Sequence, residues 1–271
     1  MLQCGDMEKP LITSLNNPLV KQARSLQQKK ARHESGLFLV EGLHHVGEVI
    51  EAGWEVEAVL YTSGVLTSAF AHDLISRRLP FTPQQVTPQV MESLADKENP
   101  QGILAIVHQK QTHLKDLPAC TRIVALVSPQ DPGNVGTILR TMDAVNADVL
   151  FLLEGGVELY HPTVIRSSMG TLFWKSVVQT SFNEFVDWAH GSGGGVIPPL
   201  QIIGTSAHAD LDYQNLTPQT PWALVLGNEQ KGLTPEQIKA CDVTVSLPMK
   251  GRVSSLNLSV AAGVLLYQFV K

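Results

Sequence analysis

The side chains able to do chemistry in this 271-residue sequence gather in three segments, each lying where an apolar strand gives way to a turn and a helix. In Ser128 to Asn146, Asn134 falls where a helix N-cap is expected. Val135, Ile138, Leu139, Met142 and Val145 recur at helical spacing and form a buried stripe. At about 100° per residue Arg140 falls roughly opposite that stripe, facing solvent or a site at the sheet edge. In the second segment a strand ends at Leu226, followed by Gly227, Asn228 and Glu229, and a helix starts at Thr234. Glycine beyond the carboxyl end of a parallel strand lets a ligand approach the backbone, which marks Gly227. The third runs from Val245 through Pro248 and Gly251 to Ser254, Ser255 and Asn257, which open a final helix.

The residues singled out in these segments offer side-chain amides, hydroxyls, the guanidinium of Arg140 and the carboxylate of Glu229. The ordinary roles are open to all of them: caps for Asn134, Ser254, Ser255 and Asn257, a solvated arginine, a solvated loop carboxylate. The first segment lacks the GxGxxG pattern, which disfavours a dinucleotide fingerprint. His44, His45 and His161 show no metal-ligand spacing, and no metal is expected.

The elements that must position these residues form two regions. Up to Val107, short apolar runs at Leu37 to Val40, before Tyr61 and at Gly102 to Val107 read as strands. They alternate with helical patterns at Asn17 to His33, Leu43 to Ala52, Leu66 to Arg78 and Pro88 to Ala95, giving a small α/β domain. The polar stretch after His108 reads as a linker, so the expected division is a domain over 1–108, a linker over 109–121 and a second domain over 122–271. From Arg122 on, β-branched runs separated by helices imply a parallel sheet covered on both faces. Gly191 to Pro199, rich in glycine and proline, reads as a surface insertion. The final helix is apolar almost all round, so either the core or a second subunit must cover it.

Composition sets the class. With 44% hydrophobic and 17% charged residues and a formal net charge of -5, the chain is globular and is not a uniformly basic nucleic-acid coat. Three separated cysteines without a CxxC pair fit a reducing compartment. The first residues show no secretory pattern, and Val260 to Val270 is about half the length of a membrane helix. A cytoplasmic protein with no membrane association is expected.

Together PGNVGTILRTMDA, LGNEQKGLT and LPMKGRVSSLNLSVAAGVLLYQ, in that order, resemble the three motifs of the SpoU (TrmH-type) RNA 2′-O-methyltransferases of the SPOUT superfamily. The resemblance covers Arg122 to the end. More loosely, ITSLNNPLVKQARSLQQKKARHESGLFLVEG resembles the substrate-binding domain that precedes many of these enzymes and is similar to small ribosomal RNA-binding proteins.

The resemblance implies a parallel α/β catalytic domain with a C-terminal trefoil knot. It also implies S-adenosylmethionine as cofactor, held mainly by backbone at Gly227, Leu247 and Leu256, with Thr205, Pro248, Met249 and Asn257 lining the bend. Methyl transfer to a ribose hydroxyl is an in-line displacement in which alignment supplies much of the rate and the hydroxyl loses its proton. The matching arginine is Arg140. A guanidinium is a poor base, which favours phosphate binding and charge stabilisation over a base role, although the base role has also been argued for the family. Asn134 would position Arg140 or the ribose, Glu229 would orient a neighbouring polar group, and Ser255 with Asn257 would complete the polar rim. In the family the pocket is usually shared between two subunits, so a homodimer is implied. Asn228 stands where many relatives carry serine or alanine.

RNA binding needs positive charge, and Lys21, Arg24, Lys29, Lys30 and Arg32 fall between Val20 and His33 with no acidic residue among them. The expected function is 2′-O-methylation of structured RNA, most of all ribosomal RNA. Transfer RNA, a non-catalytic role in ribosome assembly and, more remotely, a nucleotide-binding oxidoreductase are the competing readings.

Overall fold

The computed structural model describes residues 10–65, 69–76, 82–95, 101–191 and 198–271. Cys4 and the interior of the Gly191 to Pro199 insertion lie outside these residues, as do the ends of the helix expected over Leu66 to Arg78. The chain forms two compact units, 1–110 and 111–271.

The first unit contains α1 (Pro18–Ser25), α2 (Lys29–Ser35), β1 (Leu37–Glu41), α3 (Leu43–Glu51), β2 (Val56–Tyr61), α4 (Ala69–Ser76), β3 (Gln84–Gln85), α5 (Pro88–Glu92) and β4 (Ile103–His108). Its sheet has the order β1-β4-β2-β3, with β4 antiparallel to both β1 and β2 and β3 parallel to β2. Val20 and Ala23 from the first helix, with Leu26 just past its end, seal a core made with Leu60, Val90, Met91, Leu104 and Ile106.

The single helix expected over Asn17 to His33 is two helices. Arg32 turns inward, only 2% exposed, and its Nη1 donates to the carbonyls of Leu26 at 2.8 Å and Gln27 at 2.9 Å. These are acceptors that the end of α1 leaves without helical partners. Helical periodicity does not break in the sequence; the break is fixed by this side chain reaching back to the carbonyls.

The second unit contains β5 (Arg122–Val127), α6 (Pro132–Ala144), β6 (Val149–Leu153), α7 (Pro162–Ser168), β7 (Ser176–Thr180), α8 (Phe182–Ala189), β8 (Gln201–Thr205), β9 (Leu211–Asp212), β10 (Trp222–Leu226), α9 (Pro235–Lys239), β11 (Val243–Ser246) and α10 (Leu258–Phe269). All seven strands are parallel, in the order β7-β6-β5-β10-β8-β11-β9. Every residue of β6 and β10 is buried, as sheets covered on both faces require. Phe151, Phe185 and Trp188 join one face to α8, with ring centroids 4.9 and 5.0 Å from Phe151. The opposite face is covered through Trp222, whose ring meets Phe269 of α10 edge-on at 6.0 Å, and α10 packs on α6.

Of the residues expected as a linker, Gln109 and Lys110 fall in the first unit and those from Gln111 on in the second. Thr112 bridges to Val178, Cys120 is 3% exposed, and Leu114 and Leu117 pack against the core.

Candidate active site

In this sheet the chain runs from β5 outward through β6 and β7, then returns to build the other half from β8, with β10 inserted between β8 and β5. The carboxyl ends of β5, β10, β8 and β11 lie side by side at that reversal, where open parallel sheets bind ligands. The loops following them carry the three segments singled out in the sequence.

The start of α6 is set by Asp131, whose side chain caps Gly133 N at 2.8 Å, with Pro132 at the first helical position. Asn134 is therefore not the cap. It lies inside the first turn, 6% exposed, where its amide is free for contacts outside the helix. Its Nδ2 donates to Glu229 Oε1 at 3.3 Å, and its Oδ1 accepts from Asn257 Nδ2 at 2.9 Å. The Glu229 carboxylate also accepts from the backbone of Gln130, at 3.2 and 3.0 Å to its two oxygens, and of Asp131 at 3.3 Å. A carboxylate at this position meets unpaired amides at the positive end of the α6 dipole.

The polarity of this chain is forced. An ionised carboxylate only accepts, so Asn134 must turn its NH2 to Glu229 and its oxygen to Asn257. Asn257 then has its own oxygen free to cap α10, accepting from Ser259 N at 2.9 Å and Val260 N at 3.4 Å. One amide thus serves both as helix cap and as link between the third segment and the first.

Asn228, which sequence reasoning passed over except as a departure from relatives, ties the same loops together. Its Nδ2 donates to Ser128 O at 2.9 Å and its Oδ1 accepts from Gln230 N and Lys231 N at 3.0 and 3.1 Å. Gly227 is buried, and a Cβ there would overlap the backbone of Gly232 and Leu233. Its glycine is therefore required by the closing of its own loop, whatever a ligand demands. Gly136 is required in the same way, because a Cβ would strike Ser167 and the Val164 carbonyl where α7 crosses α6. Gln130, Asp131 and Asn228 are site-building residues missed in the sequence. The Asp-Pro pair before the helical stripe was the available signal for Asp131.

Thr205 ends β8 half-buried, its Oγ1 donating to Val225 O at 3.1 Å and its own lone pairs facing away from that bond. Leu247 and Met249 are half-buried, Pro248 is exposed and Leu256 is 39% exposed. Among the described residues, the backbone of Met249 to Leu256 makes no hydrogen bond within the chain. A strand-end segment of free amides and carbonyls interleaved with apolar side chains suits a flat heteroaromatic ring edged by donors and acceptors, which is what an adenosyl group presents. Ser255 is exposed in this segment and does not cap α10; among the described residues no hydrogen bond joins it to the Asn257 network.

Arg140 is exposed, and its side chain makes no hydrogen bond or ion pair among the described residues. It lies about 240° round α6 and about 9 Å along it from Asn134, so it does not join the network of its own chain. Neither of the described cysteines offers a thiolate at neutral pH: burial pushes Cys120 up to about 11 and Cys241 up to about 12, with Asp148 and Asp242 adding to the rise. No cluster of His, Cys, Asp and Glu able to hold a metal occurs among the described residues, and no helix there is long and apolar enough to cross a membrane.

Of the basic residues expected to meet RNA, Arg32 is corrected to a structural role by its burial. Arg24 is half-buried and donates to Ser93 Oγ at 2.9 Å. Lys21, Lys29 and Lys30 are exposed, Lys30 with a loose contact to Glu34 at 3.8 Å.

Fold and site together define an α/β protein whose candidate ligand site lies at the carboxyl edge of a parallel sheet. Residues 121–267 match the SpoU rRNA Methylase family, and residues 17–105 match the MRM3-like substrate binding domain. The chain belongs to the SpoU rRNA methylase family. Over 96% of its length it is 32% identical to the 23S rRNA (uridine(2479)-2′-O)-methyltransferase of Streptomyces viridochromogenes, covering 91% of that protein. It is 28% identical to the 23S rRNA (guanosine(2553)-2′-O)-methyltransferase of Bacillus subtilis, over 94% of this chain and 97% of that one. The S-adenosylmethionine-bound rRNA methyltransferase of Sinorhizobium meliloti superposes with a TM-score of 0.83 at 30% identity, covering 96% of both chains.

Proposed function

We propose that this chain transfers the methyl group of S-adenosylmethionine to a ribose 2′-hydroxyl of ribosomal RNA. The observation that carries the reading is the Glu229–Asn134–Asn257 chain, which locks the loops after β5 and β10 to the start of α10. When bound, the cofactor supplies an electrophilic methyl on sulfur. Thr205, Gly227, Leu247, Pro248, Met249 and Leu256 would hold it, mainly by backbone, and no metal takes part. Asn134 and Asn257 would keep the loop edges at fixed separation, and Ser255 would add a hydroxyl to the rim.

Arg140 would bind the phosphate beside the target ribose and stabilise the oxygen as its proton leaves. Its place on α6, turned away from Asn134, suits service to the site of a second copy. Val260, Val264 and Tyr267 recur at helical spacing on α10 and are 51%, 37% and 57% exposed, so the all-round apolar helix leaves one stripe uncovered. A homodimer built on α10 and the exposed side of α6 would cover that stripe and bring Arg140 to the partner's pocket.

The unit over 1–108 would bind the RNA, with Lys21, Lys29 and Lys30 as its exposed cations, Arg24 bracing the helix behind them, and 109–121 leading into the catalytic unit. The two rRNA-modifying relatives act on a uridine and a guanosine, which favours ribosomal RNA over transfer RNA and leaves base identity to contacts outside the shared motifs. Mapping ribose methylation across ribosomal RNA in a strain lacking the gene, beside its parent, tests the reading: one 2′-O-methyl group should disappear, and identical maps would refute it.

A further inference from the structure

The loop from Leu247 to Asn257 carries two cations with no assigned role, Lys250 and Arg252. Both are exposed, and neither makes a hydrogen bond or ion pair among the described residues. By contrast, Lys175 is held by Asp143 at 3.1 Å. From Val243 to Lys271 the sequence contains no aspartate or glutamate, although the whole chain has 25. Glu229, the carboxylate of the Asn134 network, is occupied by Gln130, Asp131 and Asn134, and Asp212, which pairs with Ser246 beside the start of the loop, caps Gln214 N at 2.9 Å. A protein of net charge -5 thus keeps an acid-free cationic loop at the lip of its candidate pocket. Such focused positive charge attracts a polyanion where the overall charge would repel it.

We propose that Lys250 and Arg252 form a clamp for a backbone phosphate of the RNA next to the methylated ribose. This inference rests on the methyltransferase reading. The loop is well placed for it. Its first residue follows the end of β11, its last residue is bonded to Asn134, and the two cations stand on either side of Gly251. Arg252 presents a planar fork suited to two phosphate oxygens and Lys250 a compact point charge. Two exposed cations exceed what the single carboxylate of S-adenosylmethionine needs, and the free backbone of the same loop already suits the rest of that molecule.

The test uses the full chain, deproteinised ribosomal RNA from a strain lacking the gene, and S-adenosylmethionine. K250A, R252A and the double variant are compared with the charge-keeping R252K. The double variant should raise the KM for RNA about tenfold. It should also flatten the salt dependence of RNA binding by about 0.7 per lost contact, with the Kd for S-adenosylmethionine unchanged. R252K should recover part of the loss. Unchanged RNA binding and salt slope would overturn the clamp, and a weakened Kd for S-adenosylmethionine would overturn it in favour of the cofactor carboxylate. If the parent binds RNA yet transfers no methyl group, the methyltransferase reading fails, and the same binding curves still decide for or against the clamp.

Discussion

Asn257 donates to Asn134 across 123 residues of sequence, at 2.9 Å, while its own oxygen caps α10. The two functions are separable. Asn257→Asp keeps the accepting oxygen and loses the donor, whereas Asn257→Ala loses both. Thermal or urea unfolding should show the alanine variant destabilised by about 1 kcal/mol and the aspartate variant much less. Both should lose methyl transfer, the aspartate variant because it leaves Asn134 without its donor. An aspartate variant with parental transfer rates would show that the link to Asn134 serves the helix alone.

Arg140 separates an enzyme from a binding protein. Arg140→Ala should slow single-turnover transfer about 10²- to 10³-fold, and Arg140→Lys should also be badly impaired because it loses the bidentate fork. Parental rates in both variants would reduce Arg140 to a solvated side chain.

Arg32 and Lys29 lie in the same seven-residue helix, α2, and should fail in different assays. Arg32→Ala removes a charged donor from two carbonyls in a buried position and should cost roughly 2 to 3 kcal/mol of stability. Lys29→Ala and Lys30→Ala should leave unfolding almost unchanged and weaken RNA binding in a salt-dependent way. A stable Arg32→Ala protein with weakened RNA binding would reverse this assignment.

Val264 lies in the middle of the uncovered stripe of α10. Burying each such aliphatic side chain at an interface is worth ~1.5 to 3 kcal/mol, so Val264→Glu should turn a dimer into a monomer by light scattering at micromolar concentration. A parent that is fully active as a monomer would exclude the shared pocket.

The catalytic half of the fold was legible because β6, β10 and all of β5 after Arg122 are apolar runs, alternating with helical patterns as a parallel sheet buried on both faces requires. The two-residue strands β3 and β9 carry no periodic signal and were missed. Asn134, Glu229 and Asn257 were found as motif members, yet their mutual bonds were invisible, since they join segments distant in sequence. The basic run before His33 read as a single exposed face because composition does not say which way a side chain turns. Arg32 turns inward because the residues just past the end of α1 leave two carbonyls for it to satisfy.

The central claim is tested most directly by incubating the purified chain with S-adenosylmethionine labelled on its methyl group and ribosomal RNA from a strain lacking the gene. Label should enter the RNA to about one methyl per molecule at saturation and survive alkaline hydrolysis in a single dinucleotide, because a methylated 2′-oxygen cannot attack its neighbouring phosphate. Absence of transfer to this RNA, or label recovered on a base and in alkali-sensitive mononucleotides, would contradict it.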